Sequence, residues 1–596
     1  MMTRQELPEK GAASDGLWGS DVIAAVLARL DVAYVALNPG ASFRGLHDSL
    51  VNYTGNTSPQ VILCLHEESA VAIAHGYAKA SGRMMAVALH SNVGLLHGAM
   101  AIFNAWCDRV PILLLGATGP VDAAKRRPWI DWVHTVADQG ALVRDFTKWD
   151  DQPASVNAAA DSLLRAAQLA RTAPRGPVYV NFDAALQEEK LALLPLLPDA
   201  QRFRPAPSSA PDPSALAQAV RLLAAAHNPV ILAGRVSRSP EDWRRRVALA
   251  ECLGAYVVTD LKQGAAFPTQ HPLHVGPPGF FLSPAAKSVL AQADVIVSLD
   301  WVDLAGTLMQ AAEGRAIAAR VIHASLDAHL HRGFGGEIFG LPPIDIYFLT
   351  EPDAIVAPLV AALPERVHAR PAIDVRAHAQ AGSGDRTSMS AIDPALGQAG
   401  SGDRLTIRSI ADALDRAVRP EELTLVRLPL GWPGDARHFH APLDYLGYDG
   451  GAGIGSGPGM TVGAALALNE MGRLAVAVLG DGDFLMGVTA LWTAAHYGIP
   501  MLIVVANNRS FYNDEVHQER VARERGRPVA NKWIGQRIAD PDIDLAALAR
   551  AQGAHGIGPI VTMTDLHAAM RSGLDAARSG RVCVIDVRVE PTAGSA

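Results

Sequence analysis

The chain has 596 residues, 49% of them hydrophobic and 19% charged, with 53 glycines and a formal net charge of −8. That length exceeds what one hydrophobic core supports, and the composition excludes a disordered chain in favour of a tightly turned α/β protein of several domains. The acidic balance excludes the basic face that phosphate-backbone binding needs, so no nucleic-acid partner is expected and small-molecule chemistry comes forward.

Met1 to Leu17 mixes Arg, Glu, Lys and Pro around no apolar centre, and no later apolar run approaches the roughly 20 residues a membrane span requires. No membrane association and a cytoplasmic location are expected. Cys64, Cys107, Cys252 and Cys583 are scattered without CxxC spacing, which reads as buried thiols in a reducing compartment.

In chain order, Ser20–Arg29 reads as a helix, Val32–Leu37 as a strand and Asn38-Pro39-Gly40 as a turn. Val61–Leu65, Met85–Leu89 and Pro111–Leu115 read as further strands, with a helix over Glu68–Ala80. Strands alternating with helices imply a parallel sheet covered on both faces, here a first domain over residues 16–190. The Pro- and Ala-rich stretch Leu186 to Pro213 reads as a linker. A second α/β domain over 214–364 follows, with strands at Val230–Ala233, Ala255–Thr259, Val295–Leu299 and Val321–Ala324. Residues 365–405 turn to Ala, Gly, Ser and Asp, and Gln380–Arg386 (QAGSGDR) recurs letter for letter at Gln398–Arg404, a duplication within a flexible linker. A third domain covers 406–592. The expected fold class is α/β, with three doubly wound parallel-sheet domains.

The third domain carries the chemistry. A strand at Leu474–Leu479 runs into Gly480-Asp481-Gly482-Asp483, a helix is expected over Leu485–His496, and the next strand, Met501–Ala506, ends at Asn507-Asn508. Both polar clusters therefore lie beyond the carboxyl ends of neighbouring parallel strands, where open α/β sheets bind ligands. The glycines let backbone N–H groups approach a phosphate, and Asp481 with the amide oxygen of Asn508 suits Mg²⁺, a hard cation that bridges protein oxygens to phosphates. Either cluster alone would serve equally as a turn or a cap; together they point to a metal–diphosphate site.

On these clusters the sequence resembles the thiamine-diphosphate-dependent enzymes of the acetolactate synthase and benzoylformate decarboxylase type, over nearly the whole chain. The resemblance implies pyrimidine-binding, central and diphosphate-binding domains in that order. It implies thiamine diphosphate as cofactor, with Asp481, Asn508 and the backbone carbonyl of Ser510 as ligands of Mg²⁺ and Gly480, Gly482 and Asp483 beside the diphosphate. Leu65-His66-Glu67-Glu68-Ser69-Ala70 matches a second motif of the family. There the resemblance assigns to Glu67, rather than Glu68, the carboxyl that meets N1′ of the aminopyrimidine. Protonating N1′ favours the 4′-imino tautomer that removes the thiazolium C2 proton. Without the resemblance, the acidic pair would read as a favourable helix-dipole arrangement. Ile454, within Gly451–Gly457, falls on the wedge position that holds the two cofactor rings bent and close.

The activated cofactor would add to a 2-oxo acid and act as electron sink while CO₂ leaves; the resulting enamine is protonated or attacks a second carbonyl compound. Leu89-His90-Ser91-Asn92, Phe103-Asn104-Ala105-Trp106 and Ala490–Ala495 look like benzoylformate decarboxylase, and His90 falls on one of its active-site histidines, able to relay protons near neutral pH or else bonded within a packed interior. The carboxylate-binding serine of that enzyme is replaced by Ala41 or displaced by one residue to Ser42. After the metal site, Tyr512, Asp514 and His517 lie in a polar run that could reach the substrate, or in which Asp514 and Glu515 could cap a helix over Glu515–Arg525.

The expected function is a 2-oxo acid decarboxylase or carboligase of the benzoylformate decarboxylase kind. An acetolactate synthase-like carboligase is the runner-up, although Ala233-Gly234-Arg235 offers only a faint phosphate turn for its flavin. A 2-hydroxyacyl-CoA lyase or oxalyl-CoA decarboxylase relative would need a nucleotide site, and a non-catalytic cofactor-binding protein would not need Glu67. The resemblance also implies a homodimer or homotetramer whose sites are shared between subunits.

Overall fold

The computed structural model describes residues 5–9, 16–329, 340–364 and 404–591. The expected linker after residue 364 and both copies of QAGSGDR, Arg404 excepted, lie outside these residues.

Three parallel sheets organise the chain. The first has six strands in the spatial order Gln60–Leu63, Tyr34–Leu37, Met85–Leu89, Ile112–Thr118, Val178–Asp183, Asp150–Asp151. Its inner strands are apolar at successive positions because helices cover both faces. The second sheet runs Tyr256–Val258, Pro229–Ala233, Val295–Leu299, Arg320–Ala324, Ile346–Phe348. The third runs Leu423–Arg427, Leu474–Gly480, Met501–Asn507, Val582–Arg588, His555–Ile560. Leu474–Gly480 and Met501–Asn507 are hydrogen-bonded neighbours, with Gly480 opposite Ala506, so their carboxyl ends open side by side.

Several local expectations change. The single helix expected over Leu485–His496 is two, Asp481–Met486 and Ala490–Tyr497. At the break, a Cβ on Gly487 would stand 2.2 Å from the Gly455 carbonyl oxygen, so the chain turns there against the wedge segment. The helix after the metal motif spans Tyr512–Glu524, which places Asp514 and Glu515 inside its first turn instead of at its cap. The expected linker from Leu186 holds a two-residue strand, Lys190–Leu191, paired with Leu17–Trp18, and its last residue, Pro213, opens a helix capped by Asp212. A fifth central strand, Ile346–Phe348, escapes sequence reading because it is three residues long. Cys64 and Cys583 are buried, whereas Cys107 and Cys252 are partly exposed.

The first and third sheets are joined by one helix pair. Glu67–Ser81 crosses Gly457–Glu470 so closely that a Cβ on Gly76 would stand 2.0 Å from the Met460 carbonyl oxygen, and one on Gly463 would stand 1.8 Å from that of Ile73. Glycine at both crossings is what permits backbone contact. Asn104 adds a polar tie, its Nδ2 donating to the Gly453 carbonyl at 3.1 Å and its Oδ1 accepting from the Gly453 N–H at 3.3 Å.

Candidate active site

Gly480 is the N-cap of helix Asp481–Met486, and a Cβ there would meet nothing within 4 Å, so the end of its strand borders open space. Asp481 is 3% exposed; its Oδ1 accepts the Gly482 N–H at 2.9 Å, while Oδ2 is buried with no hydrogen-bond partner. Burial raises its pKa to about 6, against the pull of the Gly482, Arg509 and Ser510 amides. A buried carboxylate oxygen left unmatched is costly, and a bound cation is the group that would satisfy it.

On the adjacent strand end, Asn507 is structural. Its Nδ2 donates to Asp586 Oδ1 at 2.8 Å and its Oδ1 accepts the Arg509 N–H at 3.2 Å. Asn508 Oδ1 accepts the Ser510 N–H at 2.9 Å, which fixes the amide while leaving its oxygen a second lone pair. Ser510 bridges to Arg537 through its neighbours, Phe511 N donating to Gln536 and Ile538 N to Arg509, so this pairing does not use the Ser510 carbonyl. The Ser510 hydroxyl donates to the buried Glu515 at 2.5 Å.

Asp483, the second aspartate of the motif, faces away from this edge. Its Oδ1 accepts from Gly455 N at 2.7 Å and Gly457 N at 3.2 Å, and its Oδ2 lies 3.0 Å from Arg427 Nε. Arg427 is fully buried, paired also with Asp449 and set over the Tyr448 ring at 4.4 Å. Asp483 thus anchors the Gly451–Gly457 segment on which Ile454, itself half-buried, is carried.

In the first domain, Glu67 opens helix Glu67–Ser81 and His66 caps it, His66 Nδ1 accepting the Glu68 N–H at 3.1 Å. The two glutamates point different ways. Glu68 turns toward the third domain, where its Oε1 would lie 3.2 Å from a Cβ on Gly455 and is buried without a partner; burial, then Asp483, raises its pKa. Glu67 is 7% exposed and its Oε2 lies 3.2 Å from His97 Nδ1. His90 caps the helix Ser91–Cys107, and its Nδ1 lies 2.8 Å from Ser42 Oγ. Of the two turn residues, Ser42 is buried against His90, whereas Ala41 is exposed. His134 stands edge-on to the His90 ring at 4.7 Å; burial first, then His134, draws the His90 pKa below the ordinary imidazole value.

The geometry therefore gathers Ser42, Glu67 and His90 on one side, and Asp481, Asn508 and Ser510 on the other. Tyr512, Asp514 and His517 are not joined to either group by a described contact; Asp514 and His517 are exposed, and Tyr512 lies 5.7 Å under Lys532 Nζ. His97 and His134 are the residues that sequence reasoning missed. His97 was detectable seven residues, two helical turns, after His90 on one helix face; His134 comes from a separate loop and carried no local signal. In the central domain, the Ala233-Gly234-Arg235 turn is committed within the protein. Arg235 lies 3.0 Å from both Asp300 and Asp327, and Arg109 of the first domain lies 3.0 Å from Asp300.

A three-domain α/β chain with a carboxylate and an amide at adjacent strand ends places its polar groups where open sheets bind ligands. Family models for the thiamine pyrophosphate enzymes match it throughout: the N-terminal TPP binding domain over residues 17–142, the central domain over 216–329 and the C-terminal TPP binding domain over 431–587. The chain belongs to the thiamine pyrophosphate enzymes, as a lyase or a transferase dependent on that cofactor.

Benzoylformate decarboxylase of Pseudomonas aeruginosa is 25% identical over 557 residues, 89% of this chain and 92% of that one. Sulfoacetaldehyde acetyltransferase of Rhodobacter capsulatus is 33% identical over 239 residues, a stretch that spans 40% of this chain and 38% of that protein. Acetolactate synthase large subunits are also among the relatives. In fold, the chain is similar to the Rhodococcus jostii 4-hydroxybenzoylformate decarboxylase, with a TM-score of 0.73 at 22% identity, covering 97% of this chain and 100% of the other. Among the described residues, no helix is long and apolar enough to cross a membrane.

Proposed function

We propose that this protein is a Mg²⁺-dependent 2-oxo acid decarboxylase or carboligase of the benzoylformate decarboxylase kind. The observation that carries this reading is the unmatched, buried Oδ2 of Asp481 beside Asn508. Bound thiamine diphosphate supplies a nucleophilic carbon and an electron sink for the carboxylate's departure. Asp481, Asn508 and the Ser510 carbonyl would hold the magnesium ion and, through it, the diphosphate. Glu67 would hold a proton at the aminopyrimidine edge. Ile454 would fix the bend of the bound cofactor, and helix Asp481–Met486 would present its first N–H groups to the diphosphate.

His90, its pKa lowered by burial and then by His134 and its Nδ1 held against Ser42, would take or give a proton at the reacting carbon. Two protomers at least are expected, because in the resembled family the domains that carry Glu67 and Asp481 meet across a subunit interface; gel filtration of an active monomer would contradict this.

The test is to incubate holoenzyme with pyruvate, benzoylformate and branched 2-oxo acids, with and without an aldehyde acceptor. CO₂ release with free aldehyde is the expected result. A carbon–carbon bonded product as the main outcome would favour the acetolactate synthase-like reading, and no CO₂ from any of these acids would sink the proposal.

A further inference from the structure

His66, Glu67 and His97 bring two imidazole nitrogens and a carboxylate oxygen together, all within 4.8 Å of one another. All three belong to one chain: His66 and Glu67 to the turn that opens helix Glu67–Ser81, and His97 to helix Ser91–Cys107. One edge of the triangle is already short. Glu67 Oε2 stands 3.2 Å from His97 Nδ1, close to the roughly 3.3 Å that separates two donors on a tetrahedral ion with bonds of about 2.0 Å. The two imidazoles are stacked beside that carboxylate, with centroids 5.3 Å apart and planes 15° from parallel, so His66 has only to close on the other two by side-chain rotation. Two imidazoles and a carboxylate suit Zn²⁺ and its neighbours in the first transition row, whereas Mg²⁺ prefers oxygens alone. The positive end of the helix works against any cation here, which favours ions that bind imidazole strongly.

We propose that His66, Glu67 and His97 form a binding site for a transition-metal dication of the Zn²⁺ class, and that this ion and thiamine diphosphate exclude one another. The site stands on the three donors; the exclusion rests on the reading of Glu67 as the group that meets the cofactor's aminopyrimidine. Under that reading the space in front of Glu67 is the cofactor's, so the ion enters by the cofactor's own route and needs no other opening. Each imidazole binds as the neutral ring and Glu67 as the carboxylate, with a fourth position left for water. Whichever nitrogen His66 offers, it gives up the Glu68 N–H that it accepts at 3.1 Å, because a neutral imidazole has a single free lone pair. Occupancy therefore withdraws the carboxylate from the cofactor and uncaps the helix in one event.

The experiment titrates Co²⁺, a coloured substitute for Zn²⁺, into the full-length, cofactor-free chain in saturating Mg²⁺, reading the visible absorption of the ion. The thiamine diphosphate dissociation constant is then measured by fluorescence with and without Co²⁺. One Co²⁺ per chain, with the spectrum of a tetrahedral site, is expected. His66→Asn, whose side-chain oxygen keeps the cap, and His97→Asn, which keeps a donor for Glu67, should each weaken Co²⁺ binding by on the order of a hundredfold. With Co²⁺ at roughly ten times its own dissociation constant, that of the cofactor should rise about tenfold. An ion taking the place of magnesium at Asp481 would tighten the cofactor instead, so the sign of the change separates the two sites. Co²⁺ binding that is absent, or equal in the wild type and both variants, overturns the site; if the variants misfold, tightened or unchanged cofactor binding in the wild type does so. Glu67→Gln separates the two layers. If it binds and activates the cofactor as the wild type does, the reading of Glu67 is wrong and the exclusion falls with it, while the histidine variants still judge the metal site. If it is defective and bound Co²⁺ leaves cofactor affinity unchanged, only the exclusion fails.

Discussion

Under the proposed function, Asp481 is the side chain on which the third domain's metal site depends. Its buried, partnerless oxygen makes the empty carboxylate unfavourable for the fold and favourable for a cation, since the same desolvation that raises its pKa to about 6 strengthens any ion pair it forms. Asp481→Asn keeps an oxygen for the Gly482 N–H but removes the charge. It is expected to weaken thiamine diphosphate binding in the presence of Mg²⁺ by at least about a hundredfold, read by titration with and without a chelator. The cofactor-free variant should melt no lower than the wild type at neutral pH, because a buried unpaired charge has been removed; a variant that binds cofactor normally would remove Asp481 from the metal site. The neighbouring Asp483 shows how two carboxylates of one motif take different directions. Two residues on, it points inward to Arg427 and the Gly455 and Gly457 amides, and so anchors the Gly451–Gly457 segment.

At the level of elements, the crossing of Glu67–Ser81 and Gly457–Glu470 fixes the first domain against the third. A Cβ at Gly463 would press on the Ile73 carbonyl, which belongs to a backbone and cannot swing aside. Gly463→Ala is therefore expected to destabilise the protein by roughly 1–3 kcal/mol, seen as a lower denaturant midpoint, despite alanine's better helix propensity. An unchanged or higher midpoint would mean the crossing relaxes freely.

The central domain offers a pH prediction at the same scale. His274 is bonded to Thr259 at 2.8 Å and packed along Phe267, and burial, then His271 and His438, lowers its pKa to about 4. Between about pH 6.5 and that value the unfolded chain binds a proton that the folded chain refuses. Stability is therefore complete above the unfolded value and is lost as pH falls through this window. His274→Gln should reduce the loss of stability between pH 7 and 5 by about 2 kcal/mol, measured by urea unfolding at both pH values; an equal loss in both proteins would contradict it.

For the whole molecule, Arg109 is a charged link between first and central domains. Asp300 is buried, and although burial alone would raise its pKa, Arg109 and Arg235 outweigh it and lower it to about 2. Asp300→Asn would leave two guanidinium groups facing each other with Asp327 alone to share. A loss of about 3–5 kcal/mol is expected, read as earlier and less cooperative denaturation; additive, sub-kilocalorie behaviour would show the link to be superficial.

Much of this architecture is legible in the chain itself. Continuous apolar runs such as Met85–Leu89 and Val295–Leu299 read as strands buried on both faces, and Gly480–Asp483 with Asn507-Asn508 stands out as a candidate site because both clusters terminate such runs. Local periodicity and turn chemistry are enough for that, since they act between near neighbours. What only the tertiary structure decided is direction and company: that Glu67 faces His97 while Glu68 faces Gly455, that Ser42 and not Ala41 meets His90, that Asp483 points to Arg427, and that a glycine at 487 breaks a helix. Each of these depends on residues tens to hundreds of positions away meeting at close range. Side-chain direction and desolvation there are set by packing, which no stretch of sequence contains by itself.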